Sequence, residues 1–134
     1  MGMMVDTNVF IFFEKSGKAI DLSRWESSER VYVSVVTVTE LLMGVHRANT
    51  EERRQRRSAF VEAVISGVGV LDFTIDVARR HAGIYAELAK NGQLIGAHDL
   101  IIAATARYHE LSILTDNVDE FSRVAGLHVI PFAS

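Results

Sequence analysis

The sequence predicts an α/β fold, a three-layer α/β/α arrangement around a parallel five-stranded sheet, and three observations predict it. Short apolar runs of strand length alternate with stretches of helical periodicity along the whole chain. Helix candidates separate the strand candidates, which implies parallel strands covered on both faces. The composition is 49% hydrophobic and 23% charged, enough apolar material to pack two faces of a sheet.

Met3–Val5 is the first strand, and 8–15 follows it as a helix carrying Val9, Phe10, Ile11, Phe12 and Phe13. A second, short helix is expected over 20–27. Residues 31–34 alternate as a strand does. Over 36–48, Val38, Leu41, Leu42 and Val45 fall at i, i+3, i+4 and i+7, the stripe of an amphipathic helix. Thr50 is placed to cap the next helix, with Glu51 and Glu52 in the first turn where the helix dipole favours acids. That helix runs to about Ile65 and stops at Gly67. Residues 70–73 form the third strand. Thr74 caps a helix reaching about Lys90, ended by Asn91-Gly92. A helix over 99–109, a strand over 112–115, a helical turn over 118–124 and a strand over 128–130 complete the order, closed by Pro131.

A length of 134 residues is that of one ordinary domain, and no repeat, low-complexity tract or linker divides it. The absence of cysteine excludes disulfides, thiolate metal sites and cysteine nucleophiles, and suits a reducing compartment. Met1-Gly2-Met3-Met4 has no basic n-region of a signal peptide, and Asp6 stands where a myristoylation signal wants Ser or Thr. No apolar run reaches membrane-spanning length. The expectation is a cytoplasmic protein. A net charge of −3 argues against a nucleic-acid partner. Its distribution argues the other way: Arg47, Arg53, Arg54, Arg56 and Arg57 face only Glu51 and Glu52 over 47–57, a candidate phosphate-facing patch on an otherwise acidic chain.

In an open parallel sheet, ligands bind beyond the carboxyl ends of the strands, where the strand order reverses. Asp6 follows the first strand, Ser34 and Thr37 the second, with Glu40 one turn into its helix. Thr115, Asp116 and Asn117 close and follow the fourth, and Asp99 heads the helix leading into it. Each has a bland alternative. Asp6 is also placed to cap its helix or make an Asx turn. Thr37-x-x-Glu40 is a capping-box pattern, and Glu40 lies off the apolar stripe, facing either a site or solvent. Asp116 and Asp119 lie in a polar turn. Asp99 is either a plain helix cap or a ligand at the edge of a helix that Leu100, Ile101, Ile102, Ala103, Ala104 and Ala106 make apolar all round.

Clustered carboxylates repel unless a cation is present, and an all-oxygen set suits Mg²⁺ or Mn²⁺. The five histidines contain no H-x-x-x-H pair for zinc. His98, beside Asp99, is either a substrate contact or a loop residue. No G-x-S-x-G elbow, P-loop or dinucleotide fingerprint is present.

Four blocks in order carry a family resemblance: Val5-Asp6-Thr7-Asn8, the run 34–44 from Ser34 through Glu40 to Gly44, His98-Asp99-Leu100 continuing to Ala106, and Leu114-Thr115-Asp116-Asn117-Val118-Asp119-Glu120-Phe121. Their spacing resembles that of PIN domains, especially VapC toxins, across nearly the whole chain. The resemblance implies strand order 3-2-1-4-5, a Mg²⁺ or Mn²⁺ site and endoribonuclease activity on structured RNA such as tRNA. It also implies a homodimer and a VapB-type antitoxin partner, for which helices 36–48 and 50–65 are docking candidates. It maps catalytic acids onto Asp6, Glu40 and Asp99. Asp116 is taken as the fourth, with Asn117 and Asp119 as alternatives. On this reading Asp6 and Asp99 hold the metal and Glu40 is a ligand or orienting base. Thr7, Thr115 and Asn117 orient the ligands. From the charge distribution, Arg53, Arg54, Arg56 and Arg57 are candidate RNA contacts, the alternative being the solvated face of a helix. A phosphatase of the haloacid-dehalogenase kind would need an acid where Asn8 stands. A non-catalytic metal- or partner-binding module is the other alternative.

Overall fold

The computed structural model describes residues 2–25 and 30–132. Five parallel strands form one sheet: β1 (Met3–Val5), β2 (Val31–Ser34), β3 (Gly69–Leu71), β4 (Ser112–Thr115) and β5 (Val129–Pro131). Their order is β3-β2-β1-β4-β5, the order the family resemblance implies. Six helices complete the described residues: α1 (Thr7–Ser16), α2 (Val35–His46), α3 (Glu51–Gly67), α4 (Ile75–Lys90), α5 (Ala97–Tyr108) and α6 (Val118–Phe121).

Side chains alternate across the central strands, which divides the core in two. Met3, Val5, Val33 and Leu114 pack with Val9 and Phe10 of α1, Leu41 of α2 and Val61 of α3 on one face. Met4 and Ile113 pack with Leu100, Ile102 and Ala103 of α5 and with Phe121 on the other. Burying each such large side chain contributes about 1.5–3 kcal/mol. Helix α5 is buried on nearly every side, as its composition predicts. Among the described residues no helix is long and apolar enough to cross a membrane.

Three local differences from the sequence reading have physical causes. Residues 23–25 form a turn instead of the expected helix over 20–27, whose last two residues lie outside the described ones. Asp21 Oδ1 accepts from both the backbone N–H and the hydroxyl of Ser23, an Asx turn that competes with helix propagation. The third strand begins earlier and stops earlier, at Gly69–Leu71. Tyr32 of β2 fills the space beside Gly69: a Cβ there would lie 2.6 Å from the ring, and one at Gly2, on the opposite edge of the ring, also 2.6 Å. Helix α5 starts at Ala97 with Gly96 as its cap, so Asp99 stands inside the first turn and is not the capping residue.

Candidate active site

The carboxyl ends of β1, β2 and β4 bring together residues from five elements. Asp6 leaves β1 and caps α1. Its Oδ1 accepts from Thr7 N at 2.8 Å, and its Oδ2 accepts from Thr115 Oγ1 at 2.7 Å. It is only 4% exposed, so both carboxylate oxygens are held by the protein in a place where a free charge is costly. Thr115 ends β4 and makes a second bond there. Its Oγ1 accepts from Asn117 N at 2.9 Å, which sets the turn that follows.

Thr7 connects Asp6 to the next acid. Its hydroxyl donates to Glu40 Oε1 at 2.6 Å and lies 3.0 Å from the hydroxyl of Thr37, which is fully buried. Thr37 is therefore not half of a capping box. Ser34 caps α2, its Oγ accepting from Val36 N at 3.1 Å, and the Thr37 side chain turns inward to the threonine pair. Glu40 faces the site, not solvent, and its Oε2 lies 3.2 Å from His98 Nδ1. His98 is in the first turn of α5, not in a loop.

Asn117 organises the remaining pair. Its Nδ2 donates to Asp99 Oδ2 at 3.2 Å and also to Glu120 Oε2. Glu120 Oε1 accepts from Gly96 N at 3.3 Å, which ties α6 to the start of α5. The acids gathered here are thus Asp6, Glu40, Asp99 and Glu120. Asp116, taken from the sequence as the fourth acid, is exposed, and its backbone N–H donates to Asn8 Oδ1 at 3.3 Å. Asp119 is exposed as well. The sequence reading misses Glu120, although the Asn117-x-x-Glu120 spacing, one helical turn, is a legible signal for it.

The electrostatics follow from this crowding. Burial pushes the Asp6 carboxyl above its ordinary value against the bonds from Thr115 and Thr7, and Glu40 and Glu120 push the same way. Asp99 is pushed up to about 6, first by burial and then by the charges of Asp6, Glu120 and Glu40, with the Asn117 bond opposing. Glu120 is lowered, chiefly by its bond from Asn117. Like charges have thus been forced together at the cost of ionisation.

Among the described residues no three acidic or histidine side chains are grouped tightly enough to hold an ion by themselves. The donor set nonetheless fits a hard divalent cation of the Mg²⁺ type, which uses one or two carboxylates and takes its other ligands from water and phosphate. Asp6 and Asp99 are the pair of raised carboxyls that such a charge would relieve.

Of the arginines named from the sequence, Arg53, Arg56 and Arg57 line a groove between α1 and α3. Arg54 points elsewhere, pairing with Glu51 at 2.7 Å and with the Ala48 carbonyl at 3.2 Å.

This architecture, a parallel 3-2-1-4-5 sheet with acids at the carboxyl ends of its central strands, defines a class. The chain belongs to the PIN-domain family, which matches residues 3–127. Ribonuclease VapC1 of Rickettsia felis is 40% identical over 134 residues, spanning 100% of this chain and 98% of that protein. The tRNA(fMet)-specific endonuclease VapC of Shigella flexneri is 37% identical over 125 residues, 92% of each chain. Among solved structures, DNA-bound VapBC from Salmonella typhimurium superposes with a TM-score of 0.87 at 30% identity over 99% of both chains.

Proposed function

We propose that this chain is a Mg²⁺- or Mn²⁺-dependent endoribonuclease, the toxin of a VapB–VapC-type pair, cytoplasmic and acting on structured RNA of the tRNA class. The observation that carries this reading is the gathering of Asp6, Glu40, Asp99 and Glu120 at one sheet edge, with hydroxyl and amide groups holding each acid in place. Kinship with a tRNA(fMet)-specific endonuclease supports the substrate class, and likeness to a VapBC complex supports an antitoxin partner, with α2 and α3 offering the docking surface. A homodimer is part of the same proposal.

The division of labour follows from the contacts. Asp6 and Asp99 would hold the ion, which when bound lowers the pKa of an attacking water and offsets charge developing on the phosphate. Thr115 and the Thr7 N–H fix the two oxygens of Asp6. Thr7 turns Glu40 toward the site, where its Oε2, shared with His98, is positioned to orient a water or take its proton. Asn117 fixes Asp99 and Glu120 relative to one another. These bonds supply the preorganisation that hydrolysis of a phosphodiester requires. The phosphatase alternative stays disfavoured: Asn8, where it needs an acid, is occupied in accepting from Asp116 N.

The direct test is cleavage of purified tRNA by the purified chain with added Mg²⁺ or Mn²⁺, with excess EDTA, and with an Asp6→Asn variant. Cleavage is expected only for the parent with metal. Undiminished cleavage in EDTA, or restoration by zinc alone, sinks the metal mechanism.

A further inference from the structure

We infer that the groove between the end of α1 and α3 is a phosphate-binding subsite that holds the backbone of single-stranded RNA as it leaves the acidic edge. The inference rests on the ribonuclease reading above and deepens it by placing the substrate's flanking chain.

The groove encloses about 450 Å³. Lys15, Lys18, Arg53, Arg56 and Arg57 line it, and the one carboxylate among its lining residues, Glu14, already lies 3.4 Å from Arg57 Nε. Five cationic side chains thus meet in one cavity of a chain whose net charge is −3. Two come from the end of α1 and the residues after it, and three from α3, so the fold, not a run of sequence, assembles the patch. Arg57 is anchored by donating to the Gly44 carbonyl at 2.9 Å, and Arg53 donates to Asn49 Oδ1 at 2.8 Å.

Continuity with the acidic edge identifies the occupant. A smaller cavity of about 100 Å³ is lined by Glu40 and Gly44 and shares Glu14, Arg57 and Phe60 with the cationic groove. One wall therefore runs from Glu40 to the lysines and arginines. A polyanion brought to four carboxylates is repelled there, and it binds only if its other phosphates meet compensating cations. The groove lies where the chain flanking the scissile bond would pass. Phe60 is partly exposed between the two cavities, and an aromatic face beside a cationic track is the arrangement that holds single strands, because every base can stack. The unpaired loops of a structured RNA meet this requirement.

The test uses the full chain carrying Asp6→Asn, so that RNA is bound and not cut. Affinity for a single-stranded RNA of about a dozen nucleotides is measured by fluorescence anisotropy from about 50 to about 200 mM salt. Lys18 and Arg56 are exposed, so replacing them leaves the core untouched. Lys18→Ala with Arg56→Ala is expected to weaken binding at low salt. It is also expected to flatten the slope of log affinity against log salt by about 0.7 per lost contact, about 1.4 for the pair. Lys18→Arg with Arg56→Lys keeps the charge and is expected to keep the slope. An unchanged slope and affinity in the double alanine variant overturns the subsite. So does retention of RNA binding with loss of binding to a poly-glutamate peptide, which assigns the groove to an acidic protein segment. Failure of the parent chain to cleave RNA with metal present is a separate result: it removes the ribonuclease reading, while the salt slope still reports on the groove.

Discussion

Asn117 Nδ2 donates to Asp99 Oδ2 across 3.2 Å, and the same amide group also donates to Glu120. One neutral side chain therefore sits between two carboxylates from different helices, α5 and α6. The bond lowers the Asp99 carboxyl while burial and three neighbouring acids raise it, so Asn117 is what keeps Asp99 from rising above about 6. An aspartate at this position would add a like charge. The amide instead supplies donors to both acids.

Removing that amide should loosen the hold on metal without emptying the site of acids. Asn117→Ala is expected to raise the Mg²⁺ or Mn²⁺ concentration needed for half-maximal cleavage by about 10–100-fold, the usual cost of losing a group that orients a ligand. It should also move Asp99 further upward, since the lost bond favours the ionised form. A metal titration of the cleavage rate reads the first effect, and carboxyl NMR of the metal-free protein reads the second. An unaltered metal requirement would show that Asn117 is only a turn residue.

The assignment of the fourth acid separates two variants one helical turn apart. Glu120→Gln takes a charge from the cluster and leaves an amide facing Asn117, so cleavage is expected to fall at least about tenfold. Asp116→Asn alters an exposed side chain, and cleavage should stay within about twofold of the parent. The reverse pattern would return the fourth role to Asp116 and mean that the α6 turn rearranges when substrate binds.

Thr7 gives the third test, because its hydroxyl is the bridge from the Asp6 loop to Glu40. Thr7→Val preserves shape, strands the buried Thr37 hydroxyl and frees Glu40. A cost of about 1–3 kcal/mol in urea unfolding is expected from the unsatisfied partners, with a loss of cleavage that persists in fully folded protein. Thr7→Ser restores the hydroxyl and should recover both. If Thr7→Val destabilises the fold yet cleaves at the parental rate per folded molecule, the threonine pair is structural alone.

These contacts also show what is legible in the sequence. The first four strands are readable because each is a short apolar run closed or followed by a polar residue at its carboxyl end, and that same boundary exposes Asp6, Thr115 and Asn117; β5 is marked instead by Pro131. Glu40 is readable as an acid off the apolar stripe of α2, but its partner is not, because the Thr7–Glu40 bond joins residues 33 apart in sequence. Glu120 is marked only by its spacing of one helical turn from Asn117, because a four-residue helix has too little periodicity of its own to say which side chain turns inward. The arginine segment is legible as charge and illegible as geometry. Local pairing with Glu51 removes Arg54 from the groove, and Lys15 and Lys18 join it only because the fold sets the end of α1 across from α3.

Asp99 carries the last prediction. Its carboxyl moves from an ordinary 3.8 to about 6 in the folded chain. The folded state therefore binds a proton more tightly than the unfolded state. The stabilisation this gives the metal-free protein is full below about pH 3.8 and is lost as the pH rises through about 6. At neutral pH the full shift would correspond to about 3 kcal/mol. Asp99 is only half-buried, and solvent screening reduces this to about 1–1.5 kcal/mol. Asp99→Asn removes the charge and keeps an oxygen to accept from Asn117. Since Gly96 and not Asp99 caps α5, no capping bond is lost. In EDTA at about pH 7, urea unfolding should find the variant more stable than the parent by about 1 kcal/mol, and at about pH 4 the difference should vanish. Added Mg²⁺ should stabilise the parent more than the variant, because a ligand that binds only the folded state adds stability in proportion to its affinity. The same variant should have lost cleavage. A variant that gains stability in EDTA and still cleaves RNA at the parental rate would leave the crowding of the acids intact and remove Asp99 from the reaction.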